Sequence, residues 1–285
     1  MNKVALVFIV CDRPEYFTQV LNTVNKQTLS FNNFDVYLYQ DVTEKTDKVQ
    51  ESIELFKKHF PNGNIVKHST NISVALNYHI ACKQLFFEKD YTHIVFFEED
   101  MILSPFYLES LIMMINKFGN DNRIGMISCS GNNILNSLQL QEENKNKLSV
   151  ISRTWGFCLR KEAFIAIQSR MEEYLNLFVI NKNYRSRNHS AIREWQKSRG
   201  FKPGVTSQDG IKNCCLAENN LIKLTCFPGL IKHIGTIGLH NNESSYKTYR
   251  FGEQILYDKK IEVVEDLTDD KYNEILTRER NGFIL

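Results

Sequence analysis

The 285-residue sequence predicts an α/β protein with a mostly parallel central sheet and helices on both of its faces. Three observations predict it. Apolar runs of strand length alternate with helical periodicity over the first ~130 residues. Helix-start and turn signals fall between those segments, with Pro14 at a first-turn position and Pro61-Asn62-Gly63 closing a helix. One buried-strand run, His93 to Phe97, ends abruptly in Glu98-Glu99-Asp100. In an open α/β sheet, ligands collect beyond the carboxyl ends of the strands, where such a cluster would point.

Taken in order, Val4–Val10 reads as a strand, and Pro14 then opens an amphipathic helix with Phe17, Val20, Leu21 and Val24 on one face. Phe34–Tyr39 is a second strand. Glu44–Phe60 is helical, with Val49, Ile53, Leu55 and Phe56 inward. Ile65–Lys67 is a short strand, Ser73–Phe87 a helix and Thr92–Phe97 the strand bearing the acidic cluster. Pro105–Phe118 follows as a helix and Ile124–Cys129 as a strand. The second half is less regular. After the polar stretch from Gly131, the reading is a short strand at Val150–Ser152, Trp155–Leu159 leading into a helix Lys161–Met171, and a basic loop 181–203 around a helix Ser190–Ser198. Gln208–Ala217 reads as a helix, Leu221–Phe227 as a strand, Gly235 to His240 as a loop, and Asp269–Arg278 as a charged helix. With no linker and no repeat, the expectation is one domain over 1–285: a binding half 1–135, a second half 136–260 and a helical tail 261–285.

Composition excludes several classes. A formal net charge of +2 argues against wholesale nucleic-acid binding. Val4–Val10 is too short to span a bilayer, and no cleavage pattern follows it. The seven cysteines form no C-x-x-C pair or zinc-like spacing, and fit small buried hydrophobes in a reducing compartment. The expectation is a cytoplasmic protein, or a Golgi-lumenal one if an N-terminal anchor precedes this sequence.

Glu98-Glu99-Asp100 carries the chemistry. Three adjacent like charges repel, and burying them costs free energy unless a cation or ligand compensates. A divalent metal is the simplest compensation; the alternative is a solvated turn ahead of the helix at Pro105.

Three further motifs stand in order around it: Cys11-Asp12-Arg13 after the first strand, Gln40-Asp41 after the second, and Ser207-Gln208-Asp209 at a late helix start. Together the four resemble the GT-A nucleotide-sugar glycosyltransferases, and are most similar to the N-acetylglucosaminyltransferase I family, whose corresponding motifs are Cys-Asp-Arg, Ser-Gln-Asp and Glu-Asp-Asp. The resemblance is continuous over residues ~3–135 and patchy beyond. It implies a GT-A fold and a metal-dependent inverting transfer from a UDP-sugar to a hydroxyl of a saccharide or glycoconjugate. Transfer expels a diphosphate, so Mn²⁺ or Mg²⁺ would bridge the phosphates and stabilise the leaving charge.

By the same matching, Asp100 binds the metal, Glu99 accepts a ribose hydroxyl and Glu98 faces the donor sugar. The middle residue is Glu where the family has Asp, which loosens the ribose assignment. Asp41 would read the uracil imide, and Cys11, Asp12 and Arg13 would line the nucleotide. Asp209 would be the general base; its plain alternative is an acidic residue favoured in a first helical turn. Trp155-Gly156 resembles the loop under the sugars. Many GT-A enzymes add a late histidine to the metal, which makes His240 a candidate ligand, although the most similar family places none there. The basic segment 182–202 is either a solvated face or an attractor for an anionic acceptor or a membrane surface.

Two enzymatic rivals are weaker on the residues, and a third, non-catalytic reading stays open. A sugar nucleotidyltransferase would want a glycine-rich loop after the first strand, and Cys11–Tyr16 holds no glycine. A two-metal phosphoesterase would want clustered His and Asp, and the seven histidines are scattered. A non-catalytic nucleotide-sugar binding domain would bind UDP and metal without releasing UDP to any acceptor.

Overall fold

The computed structural model describes residues 2–178, 183–238 and 242–285. The chain runs β1 Val4–Val10, α1 Pro14–Val24, β2 Asp35–Gln40, α2 Thr46–His59, β3 Asn64–Lys67, α3 Ser73–Lys83, β4 His93–Glu98, β5 Met101–Leu103, α4 Tyr107–Phe118 and β6 Ile124–Ser128. It continues through α5 Leu138–Glu143, β7 Leu148–Val150, β8 Phe157–Arg160, α6 Lys161–Asn176, α7 His189–Ser198, α8 Gln208–Glu218, β9 Ile222–Cys226, β10 Ile231–His233, α9 Glu243–Thr248 and α10 Asp269–Phe283.

Eight strands form one sheet in the order β3-β2-β1-β4-β8-β6-β9-β7. β3, β2, β1 and β4 pair in parallel, as do β6 and β9, while β8 and β7 run antiparallel to their neighbours. The α/β expectation is therefore met. Strand residues alternate between two cores: Leu6, Phe8, Val95 and Phe97 pack with α1, α2 and α4, and Ala5, Val7, Ile94 and Phe96 with α3, α6 and α8. Both faces of the sheet are covered, which is why these strands read as unbroken apolar runs.

The topology places a crevice. The chain leaves β1 toward β2 and β3, then returns to set β4 on the other side of β1, so the order reverses between β1 and β4. Ligands bind at such a switch point, beyond the carboxyl ends of the strands. Because β8 is antiparallel to β4, with Phe96 opposite Phe157, its amino end also opens at that edge and carries Trp155 and Gly156 there.

Several elements differ from the sequence reading. Phe157–Arg160 is itself a sheet strand and runs directly into α6, and the short strand sits at Leu148–Val150 rather than 150–152. β5 and β10 form a separate antiparallel ribbon, with His233 opposite Met101. α6 runs on to Asn176 and α10 to Phe283, each beyond the expected end. No helix among the described residues is long and apolar enough to cross a membrane.

Candidate active site

β4 delivers the acidic cluster: its first five residues are buried, and Glu98 is the last residue of the strand. Glu99 and Asp100 follow at 6% and 3% exposure, so the solvated-turn alternative fails for them. Tyr78, on the buried face of α3, donates a 2.9 Å hydrogen bond to Oε1 of Glu98. Burial, reinforced by Asp100, Asp209 and Glu99, pushes the Glu98 carboxyl up to about 8. Burial also raises Glu99, against the pull of Arg13. For Asp100 burial acts in the same direction, but Arg13 and His233 outweigh it and hold the group well below the ordinary carboxylate range.

Arg13 ends the loop after β1 and turns into the cleft. Its Nη2 lies 2.7 Å and its Nε 2.8 Å from Glu99 Oε1, and its Nη1 lies 2.8 Å from Asp100 Oδ2. His233 Nε2 stands 3.4 Å from the same Asp100 oxygen, and its ring stacks on Trp155 at 5.4 Å between centroids. The Ile234 N–H donates to the Asp100 carbonyl, and a Cβ on Gly235 would collide with Asp100 Oδ2. Glycine is required there by close approach.

The remaining expected residues fall around this centre. Asp41 is buried, and its Oδ1 accepts from the Val42 and Ile72 N–H groups at 2.9 and 3.0 Å, tying the end of β2 to the start of α3. Asp12 accepts from Thr43 and pairs with the exposed Lys45, both at 3.0 Å. Cys11 contributes its carbonyl to Gln40, and burial raises its thiol well above its usual range. Trp155, only 9% exposed, is walled in by His233 and Phe251 at the back of the cleft rather than open as a platform. Gly156 has φ +48°, and a side chain there would strike Ile231 and Tyr107. His240 lies outside the described residues.

Asp209 enters at the start of α8, on the Tyr78 side of the cleft. Its Oδ1 accepts from Gln208 Nε2 at 2.6 Å and from Lys212 Nζ at 3.3 Å. No backbone N–H is among these partners, so the carboxylate does not cap the helix. Lys212 is itself buried, its ammonium 4.1 Å from the Phe157 ring centroid and 5.1 Å from that of Tyr78. Tyr78, Lys212 and His233 were the residues that sequence reasoning missed. Lys212 was findable as the i+3 neighbour of Asp209 on a helix; His233 depends on the distant pairing of β10 with β5 and left no local signal.

The basic segment is only partly a solvated face. Arg187 is 5% exposed and lies 3.6 Å from the Phe178 ring centroid. Arg199 pairs with Glu173 at 2.8 Å, and Lys202 donates to the Asn281 carbonyl. Arg193 and Lys197 point outward from α7, one turn apart. Lys182 lies outside the described residues.

The cleft fits a metal bound through one carboxylate. Asp100 Oδ1 is fully buried without a hydrogen-bond partner, and a buried orphan oxygen on an ionised carboxylate suits a hard cation. No group of three His, Cys, Asp or Glu among the described residues is arranged to hold an ion. Ligand oxygens would therefore have to complete the coordination, as is usual for Mg²⁺ beside a phosphate.

No family model matches the chain, and no curated protein does. Among solved structures, S. aureus TarS 1-349 in complex with UDP-GlcNAc is similar at 17% identity and a TM-score of 0.37, over 48% of this chain and 36% of that one. TarS 1-349 in complex with UDP gives 14% and 0.45, over 76% of this chain and 70% of that one. The mannosyltransferase PcManGT from Pyrobaculum calidifontis, in complex with GDP-Man and Mn2+, gives 12% and 0.42 over the same shares. This chain thus spans about a third of the first of these structures and about 70% of the other two. Likenesses this slight decide neither the family nor the activity.

Proposed function

We propose that this chain is a metal-dependent, inverting glycosyltransferase of the GT-A type, moving a sugar from a UDP-sugar to a hydroxyl of a saccharide or glycoconjugate. The observation that carries the reading is convergence. Arg13, Glu98-Glu99-Asp100 and Asp209 are separated by up to 196 positions in sequence, yet they line one cleft at the switch point of the sheet.

The residues divide the work. Asp100, ionised and with a free buried oxygen, would hold Mn²⁺ or Mg²⁺. The ion when bound would neutralise charge developing on the departing diphosphate. Arg13 would fork onto phosphate oxygens as it now does onto carboxylates. Glu98 would face the donor sugar, and Glu99 would accept from the ribose. Asp209 would take the acceptor proton through Oδ2, since Oδ1 is occupied by Gln208 and Lys212. The outward Arg193 and Lys197 favour an acceptor that is anionic or presented at an anionic membrane surface.

The test is turnover. The protein with Mn²⁺ and each of several UDP-sugars should release UDP, and Asp209→Asn should lower that release by about 10²–10⁴ while leaving UDP binding intact. Unchanged release in the variant would remove Asp209 from the base role. UDP binding without release against any acceptor would favour a non-catalytic nucleotide-sugar binding protein.

A further inference from the structure

The cleft already contains a cation. Arg13 reaches back from the loop between β1 and α1 and divides its guanidinium between two carboxylates, with contacts of 2.7 and 2.8 Å to Glu99 and 2.8 Å to Asp100. Its Nη1 also donates to the Ile237 carbonyl at 3.2 Å, and the group rests over Tyr16 at 5.4 Å from the ring centroid. The Tyr16 hydroxyl in turn bonds Thr236 at 2.8 Å, so the loop that follows β10 closes over the guanidinium. The side chain makes no capping bond to α1, so leaving this position would cost that helix its contact with the Tyr16 ring but no hydrogen bond from the guanidinium.

A divalent ion and this guanidinium compete. Both would use Asp100, and an ion on the orphan Oδ1 would stand within a few ångströms of Nη1 on Oδ2, where two positive charges in a buried cleft repel strongly. A diphosphate reverses the balance. It gives Arg13 a forked anionic partner as good as the carboxylates, and it supplies the oxygens a hard ion needs beyond one aspartate.

We propose that Arg13 is the resident cation of this cleft, and that a divalent ion gains Asp100 only as an anionic diphosphate draws the guanidinium away. The identity of that anion rests on the nucleotide-sugar reading; the competition between Arg13 and the ion does not. Metal binding by the free protein is then weak by construction, and metal and nucleotide enter as a pair.

The experiment follows Mn²⁺ by electron paramagnetic resonance as it titrates the full chain without nucleotide. Arg13→Gln should bind one Mn²⁺ at least tenfold more tightly than wild type, and Arg13→Gln/Asp100→Asn should lose that gain. Circular dichroism checks folding; if Arg13→Gln does not fold, Arg13→Lys carries the test, since a single ammonium gives up the fork and should still bind Mn²⁺ at least threefold more tightly. Equal Mn²⁺ affinity in wild type and the folded variant would overturn the proposal, as would a gain that survives Asp100→Asn. Adding UDP separates the two readings. If UDP leaves wild-type Mn²⁺ affinity unchanged while the Arg13→Gln gain persists, the nucleotide reading fails and the role of Arg13 stands.

Discussion

At the scale of residues, the cleft is governed by how few cations serve its carboxylates. Lys212 pairs with Asp209 from a cage of Phe157 and Tyr78, and among the described residues no other carboxylate lies within ion-pair distance of it. Replacing it by Met keeps the apolar stem and removes the charge that fixes Oδ1. UDP-sugar turnover should then fall about 10- to 100-fold, the usual cost of a misplaced reacting group, with UDP binding unchanged by titration calorimetry. Gly235→Ala acts at the other end of the cleft. Its methyl would displace the Asp100 carboxylate, so the metal-dependent part of UDP binding should weaken by about tenfold or more, or 1.4 kcal/mol. The acidic triplet was legible because three adjacent carboxylates at the end of a buried strand have few structural excuses, whereas Asp209, ordinary in a first helical turn, stood out only through the resemblance. Of the partners that give each carboxylate its character, Tyr78 reads locally as an ordinary inward position of α3 and His233 leaves no local signal, whereas Lys212 can be found as the i+3 neighbour of Asp209.

At the scale of elements, the strands closest to the cleft carry the most information. β1, β2 and β4 were readable as apolar runs because both of their faces are buried. β8 and the β5–β10 ribbon were not, being three or four residues long and defined by partners far along the chain. β4 also carries a pH sensitivity. His93 is buried at the amino end of β4, its Nε2 3.2 Å from the Gly119 carbonyl, and burial holds its pKa below the ordinary value. Above that ordinary value both states are neutral; as pH falls, the unfolded chain protonates first, so stability is lost on acidification toward the lowered folded value. The urea midpoint should therefore drop between pH 7 and pH 5, and drop less in His93→Gln. An equal drop in both would assign the effect elsewhere, with His79, similarly lowered by burial, the next candidate.

For the whole molecule, the order of strands explains why residues so far apart meet, and the C-terminal helix explains how the helix that carries Asp209 is held in place. α10 packs on α8 and β9, and its Glu279 forms a 3.3 Å ion pair with Lys223, both only 4% exposed. Removing one member of a buried pair strands the other, so Glu279→Ala should cost about 3–5 kcal/mol in urea unfolding. The helical tail was legible from its charged periodicity; that it locks the helix carrying Asp209 was not, since nothing local encodes that contact. In the proposed function, Asp100 joins a metal to a UDP-sugar. Titration calorimetry of UDP with and without Mn²⁺, in wild type and Asp100→Ala, tests it most directly. Mn²⁺ should tighten UDP binding at least tenfold in wild type and not in the variant. UDP that binds equally well without metal, or a metal effect that survives the loss of Asp100, would contradict it.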